Sequence, residues 1–299
     1  MTYSIVARDA QTGELGVAVQ SRYFSVGSIV TWAEAGVGAV ATQSMANPDY
    51  GPRGIALMRE GASAPDALDA LVREDNGRHV RQVAMVDATG TAAAHTGKNC
   101  IAAAGQIVGD GFSVQANMMV DDSIWPAMHG AYIAAKGDLA DRMLAALDAA
   151  QAAGGDIRGQ QSAAMLIVGA ERDERPWRGV VLELRIEDHA RPLDELRRLL
   201  RLKRAYALVD DGDEAMASGD LETAMRQYDR ALEFAPDHDE LQFWAGLALY
   251  KQGRIDEAEP LLRAAFATNP PMADLVERVV HLGVIDRDDV ARIVALRNR

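Results

Sequence analysis

Between Gly212 and Pro270 the chain repeats itself at a fixed distance. Gly212 pairs with Gly246, Gly219 with Gly253, Leu221 with Ile255, Ala224 with Ala258, Ala231 with Ala265 and Pro236 with Pro270, each pair 34 residues apart. Small residues at matched positions let two helices cross closely, and a proline after the second helix ends it. One such helix pair cannot bury its apolar side alone, so the pattern demands stacked pairs over about 205–271.

The residue types and the period are similar to those of the tetratricopeptide repeat. Two repeats followed by the segment "MADLVERVVHLGVIDRDDVARIVALRNR", read as a capping helix pair, make 205–299 a small all-α domain. Two repeats fall short of the about three that usually stand alone. Support is expected from "PLDELRRLLRLKRAYALV", a helix with Leu193, Leu196, Leu199 and Leu200 on one stripe, which serves as the linking helix over 191–204. Repeat arrays of this kind present a concave surface to a protein partner. The alternative is a stabilising or oligomerising appendage, and the repeats alone do not choose between them.

Residues 1–190 follow a different grammar. "YSIVARD", a turn, and "LGVAVQS" form a hairpin with period-two β-branched residues. "SIVTWAEAGVGAVATQS" reads as a strand pair through a glycine bend. "NPDYGPRGIALMREG" and "SAPDALDALVRED" read as two short helices, the second capped by Ser63. Strands return in "VRQVAMVDATGTAAAHTG" and "NCIAAAGQIVGDGFSVQANMM", then two longer helices bounded by Gly137 and Gly154–Gly155, then the strands "SAAMLIVGAE" and "RGVVLELRIED". The order strands, helix pair, strands, helix pair, strands suits two stacked sheets with helices on both outer faces. The fold class expected is therefore α+β, a four-layer αββα sandwich followed by the all-α domain.

Charge narrows the partners. The formal net charge is −13. From Leu196 onward 15 Lys+Arg stand against 19 Asp+Glu, leaving 16 against 25 before it, so both parts are acidic and no basic stripe is present to hold a phosphate backbone. Nucleic acid and an anionic membrane are not expected partners. The single cysteine, Cys100, rules out an intrachain disulfide framework. The first residues lack a secretory pattern and no apolar run approaches the roughly 18 residues of a membrane span, so a cytoplasmic location is expected. "HTGKNC" sets His95 and Cys100 five apart without a second ligand pair, which reads as a turn histidine and a buried thiol; no metal and no cofactor is expected.

Thr2 stands directly before the first strand. Freed of Met1, a threonine there can serve as a nucleophile whose own α-amine, with a pKa of about 8, is the general base. The elements around it resemble the N-terminal-nucleophile (Ntn) hydrolases, whose chain begins with the nucleophile on a strand and returns in a second strand ending in a motif like "AVQSR" here. More closely, 1–189 resembles an uncharacterised bacterial and archaeal family, domain of unknown function 1028, grouped with Ntn-hydrolase-like proteins. The segments carrying that likeness are "TYSIVARD", "SRYFSVGS", "WAEAGVGAVATQS", "NPDYGPRG", "RQVAMVD", "HTGKNC", "QANMM" and "AGGDIRGQQSAA".

The likeness departs from the proteasome pattern at two points. Gln20 stands where that pattern has Asp, and no lysine occurs before Lys98 to tune the nucleophile. A lysine-free Ntn mechanism is what remains. It implies an amidohydrolase acting on a small molecule or peptide, with Thr2 attacking and Arg22 orienting it or gripping a substrate carboxylate. The Gln43–Ser44 backbone and the Asn117 amide would face the oxyanion, and Asp156, Gln160, Gln161 and Ser162 would surround the α-amine. The rival reading is a catalytically silent scaffold that recruits a partner through its repeats. Self-assembly as a homo-oligomer is expected under either.

Overall fold

The computed structural model describes residues 2–298. Met1, whose removal the sequence reading calls for, and Arg299 lie outside the described residues. The chain divides between Arg197 and Arg198 into two compact units.

The first unit is built on two antiparallel sheets. β1 (Thr2–Arg8) and β2 (Leu15–Ser21) form the expected hairpin. A short helix α1 (Gly27–Val30) precedes β3 (Thr31–Glu34) and β4 (Gly38–Ser44). The strand expected from Ser28 therefore begins only at Thr31. Ser25 takes a left-handed φ of 55°, and the Ser28 amide donates back to its carbonyl, which starts a helical turn. Helices α2 (Tyr50–Arg59) and α3 (Ala64–Glu74) follow, with Ser63 Oγ capping α3 by accepting from the Asp66 amide. Then come β5 (Arg81–Asp87), β6 (Ala92–Thr96), β7 (Gly105–Gly109) and β8 (Phe112–Asn117). Helices α4 (Ile124–Ala134) and α5 (Leu139–Ala152) lead to β9 (Ser162–Val168) and β10 (Val180–Ile186).

One sheet has six strands in the order β10-β9-β2-β1-β8-β7 and the other has four in the order β3-β4-β5-β6. Alternation along the strands assigns the faces. Tyr3 reaches Gln151 of α5, and a side chain on Gly16 would strike Met143 and Leu139 of α5, so Tyr3, Ile5 and Gly16 look toward the α4/α5 layer. Val6, Val17 and Val19 look the other way and pack with Ala39, Ala41, Ala84 and Val86 of the second sheet. Its outer face carries Val40, Val83 and Met85 against Tyr50, Ile55, Leu68 and Leu71 of α2 and α3. The unit is an αββα sandwich with alanines letting the sheets approach.

The second unit is all helical. α6 (Pro192–Ser218) extends the helix expected from "PLDELRRLLRLKRAYALV" to Ser218, and its later part, which carries Gly212, supplies the first repeat's opening helix. It is followed by α7 (Leu221–Phe234), α8 (Asp239–Lys251), α9 (Ile255–Thr268), α10 (Met272–Val279) and the short α11 (Val290–Val294). The 34-residue pairing has a direct structural cause. A Cβ on Gly212 would lie 2.7 Å from the Tyr228 ring, and one on Gly246 would lie 2.8 Å from Leu262. Each glycine thus sits where the two helices of its own repeat cross. Gly219 and Gly253 turn between those helices at φ 85° and 76°.

Candidate functional site

One end of the sandwich collects the candidate residues. Thr2 pairs in register with Ser21 on one side and Asn117 on the other, and Ser21 pairs in turn with Ser162. In the facing sheet Gln43 is opposite Gln82, and Ser44 is opposite Arg81. By alternation Thr2, Ser21 and Asn117 turn toward the facing sheet, as do Gln43 and Gln82. A band of neutral polar groups therefore replaces the alanine and valine packing at this end, and all five residues are buried.

Thr2 Oγ1 donates to Ser21 Oγ at 3.0 Å. Around it lies an amide network anchored on Gln82. Gln82 Nε2 donates to the Ala116 carbonyl at 2.9 Å, to the Gly105 carbonyl at 3.2 Å and to Thr96 Oγ1 at 2.8 Å. Main-chain carbonyls only accept, so these contacts fix which end of the Gln82 amide is nitrogen. Its Oε1 then receives Gln43 Nε2 at 2.7 Å and Asn117 Nδ2 at 2.9 Å. The same two nitrogens also approach the Thr2 carbonyl oxygen, at 3.3 and 3.4 Å. Each amide thus makes one short bond to Gln82 and a long contact at Thr2, Gln43 adding a second long one to the Gln115 carbonyl at 3.4 Å, and the long contacts are well past the usual 2.9–3.0 Å. Gln43 Oε1 and Asn117 Oδ1 are buried and have no hydrogen-bond partner among the described residues.

The backbone at this end is unusual. Among the described residues three non-glycines have left-handed φ: Ser44 at 71°, Met118 at 58° and Ser25 at 55°. Ser44 follows Gln43, Met118 follows Asn117, and Ser25 lies in the loop leaving β2. Each such residue costs on the order of 1 kcal/mol and persists only where its surroundings impose it.

The remaining candidates serve that loop layer. The Asp156 carboxylate is enclosed; it accepts from the Arg22 amide and from the Arg158 amide, and it pairs with the Arg158 guanidinium at 2.8 Å. The Arg22 side chain is exposed and donates to the Gln160 carbonyl at 2.8 Å. Ser162 Oγ accepts from the Val26 amide and donates to the Tyr23 carbonyl, tying the 22–26 loop to β9. Gln161 donates from its side chain to Asp188 and from its amide to the Ser21 carbonyl. The structure thus gathers Thr2, Gln43 and Asn117 into one cluster, with Ser44 adjoining it. Arg22, Asp156, Gln160, Gln161 and Ser162 form the loops beside it. Gln82, the anchor, is absent from the sequence reading: in "VRQVAMVD" a glutamine on a strand looks like any half-exposed polar position. Its alternation with Ala84 and Val86, both turned inward, was the available signal.

His95 lies on β6, not in a turn, with its ring at the Arg78 carbonyl. Cys100 is partly buried and its thiol meets the Arg81 carbonyl. No cluster of metal-ligating side chains occurs among the described residues, and no described helix is long and apolar enough to cross a membrane.

Fold and site together define a two-part α+β protein, a sheet-rich unit with a buried neutral polar centre joined to a tetratricopeptide-type helical unit. The chain belongs to the family of unknown function DUF1028, which matches residues 2–196, and the tetratricopeptide repeat family matches residues 209–273. Among solved structures it is similar to protein SPO2555 from Silicibacter pomeroyi, a DUF1028 protein, at 32% identity and a TM-score of 0.60, over 67% of this chain and 88% of that one. No curated protein matches.

Proposed function

We propose that the first unit is an N-terminal-threonine amidohydrolase and that Thr2 is its nucleophile. The observation that carries this reading is the pair of amide nitrogens, Gln43 Nε2 and Asn117 Nδ2, held by Gln82 and converging at long range on the Thr2 carbonyl oxygen. Donors used weakly in the resting chain can turn to a stronger acceptor, and the oxyanion formed on attack by Thr2 is one. The reading requires a chain whose first residue is Thr2. Its α-amine would take the hydroxyl proton, directly or through one water, and Ser21 Oγ would hold the hydroxyl in place. Arg22 and Arg158 shape the loops through Gln160 and Asp156; neither is assigned a substrate carboxylate.

Intact mass of the untagged protein, before and after a β-lactone that acylates N-terminal threonines, tests this. Loss of Met1 and one adduct on Thr2, absent in Thr2→Ala, is expected. Retained Met1, or a free Thr2 that stays unmodified, counts against the reading.

A partner-binding role for the second unit is a separate reading. It is supported by a groove of about 600 Å³ lined by Tyr206, Val209, Leu241, Trp244 and Leu282 on the repeat helices and the turn after α10. Trp244→Ala would weaken capture of a partner there, whereas unchanged capture would remove the groove from the account.

A further inference from the structure

We infer that the site at the Thr2 end accepts an amide whose neighbouring substituent is apolar; the inference rests on the reading of that end as the active site and names its substrate class. The loops leaving this end of the sandwich carry an unusual set of side chains. Tyr23 and Phe24 follow β2, Met45 follows β4, Ile101 precedes β7, Val120 follows β8 and Ile157 precedes β9. Tyr23, Phe24, Met45 and Ile157 are each more than half exposed, and Ile101 and Val120 nearly so.

These residues belong to one ring. The Met118 amide donates to the Ile101 carbonyl, the Ile157 amide to the Met118 carbonyl and the Val120 amide to the Gly155 carbonyl. Ser162 holds the Tyr23 carbonyl, and the Arg81 guanidinium holds the Met45 carbonyl. Five loops are therefore laced together around the strand ends that bear Thr2, Gln43 and Asn117. An apolar lining with a few convergent polar groups at its centre is the usual make-up of a small-molecule site. Two of the three guanidiniums nearby are paired with carboxylates, Arg158 with Asp156 and Arg81 with Asp75, and the third, Arg22, is exposed and donates to the Gln160 carbonyl. A carboxylate substituent would have to displace Asp156 or Asp75 to pair with two of them, which leaves Arg22 alone of the three to receive it, against six apolar side chains.

A second copy of the chain is the competing occupant. The amide donors held beside Thr2 at the centre of these loops favour a substituent, since a subunit contact would leave them unused.

Two β-lactones that differ only in their substituent, benzyl or carboxymethyl, test this on the full chain, with acylation of Thr2 followed by intact mass. The expected result is at least a tenfold faster second-order rate for the benzyl compound, with the difference in half-saturation and not in the limiting rate. Met45→Glu combined with Ile157→Glu, at exposed positions, should bring the ratio below threefold while the thermal midpoint stays within a degree or two. Equal rates, or preference for the carboxymethyl compound, overturn the inference while leaving Thr2 as nucleophile. Failure of both, and of unsubstituted β-propiolactone, overturns the hydrolase reading and this inference with it. Sedimentation of wild type and double variant closes the alternative: an oligomer that the two glutamates dissociate assigns the ring to a second copy and overturns the inference.

Discussion

Gln82 is one side chain on which two others depend. In Gln82→Met the acceptor for Gln43 Nε2 and Asn117 Nδ2 disappears, and so do the donors to the Ala116 and Gly105 carbonyls. A buried polar group left without its partner costs about 1–3 kcal/mol. For a unit of this size that lowers Tm by about 2–4 °C per kcal/mol, read in a thermal melt. Under the proposed function Thr2 acylation should also slow, and combining Gln82→Met with Asn117→Ala should slow it no further, since both remove the same oriented N–H. Additive losses would separate the two residues and end the anchoring account. At Gly51 the constraint is steric. A Cβ there would sit 2.3 Å from the Trp32 ring, so Gly51→Ala should destabilise by about 1–3 kcal/mol in denaturant titration. A neutral result would mean that Trp32 swings aside at no cost.

Helix ends show how elements are bounded. Asp138 caps α5 by accepting from the Asp141 amide at 2.9 Å, and α5 lies against β1 and β2, the hairpin that carries Thr2. Asp138→Ala should cost about 1 kcal/mol, and Asp138→Ser should restore most of it. If serine does no better than alanine in urea melts, the cap contributes nothing. Among the helical repeats the element-scale contact is the crossing at Gly246, where a Cβ would meet Leu262 at 2.8 Å. Gly246→Val should pry α8 from α9 and reduce helical ellipticity, whereas Gly130→Ala, on an open helix surface, should not. Equal behaviour of the two variants would detach the 34-residue glycine pairing from helix crossing.

Over the whole molecule, acid should act through carboxylates that the fold has depressed. Burial alone would raise Asp9, but the Thr12 and Gln11 amides and the Arg142 guanidinium outweigh it and hold the carboxyl below its usual value. Asp75 is likewise held down against its burial by Arg81 and the Gly77 amide, and Glu34 is held down by Arg59. The unfolded chain therefore takes up these protons first. The stabilisation is complete above the ordinary carboxylate range of about 4 and is lost as pH falls through the lower folded values. Denaturation midpoints should hold steady from pH 7 to about 5 and fall below about 4, and Asp9→Asn should flatten that decline. An unchanged slope in Asp9→Asn would remove this group from the acid response. Much of the architecture is legible in the sequence because it rests on local rules. Period-two alternation marks the strands, Ser63 and the Gly154–Gly155 pair mark helix ends, and the 34-residue spacing marks the repeats. The run of α6 past Val209 was not legible, since the acidic stretch "DDGDEAMAS" carries a glycine and no apolar stripe to mark a helix. Thr2, Gln43 and Asn117 were nameable from type and resemblance, but Gln82 and the apolar ring were not. Residues 2, 43, 82 and 117 meet only because two sheets stack face to face, and the apolar residues of five separate loops come to one end of the sandwich only when the strand ends align. Contacts between near neighbours in the chain set the elements, their order and the repeat. Stacking and register, which act between residues far apart in the chain, placed particular glutamines and exposed apolar residues at one end of the sandwich.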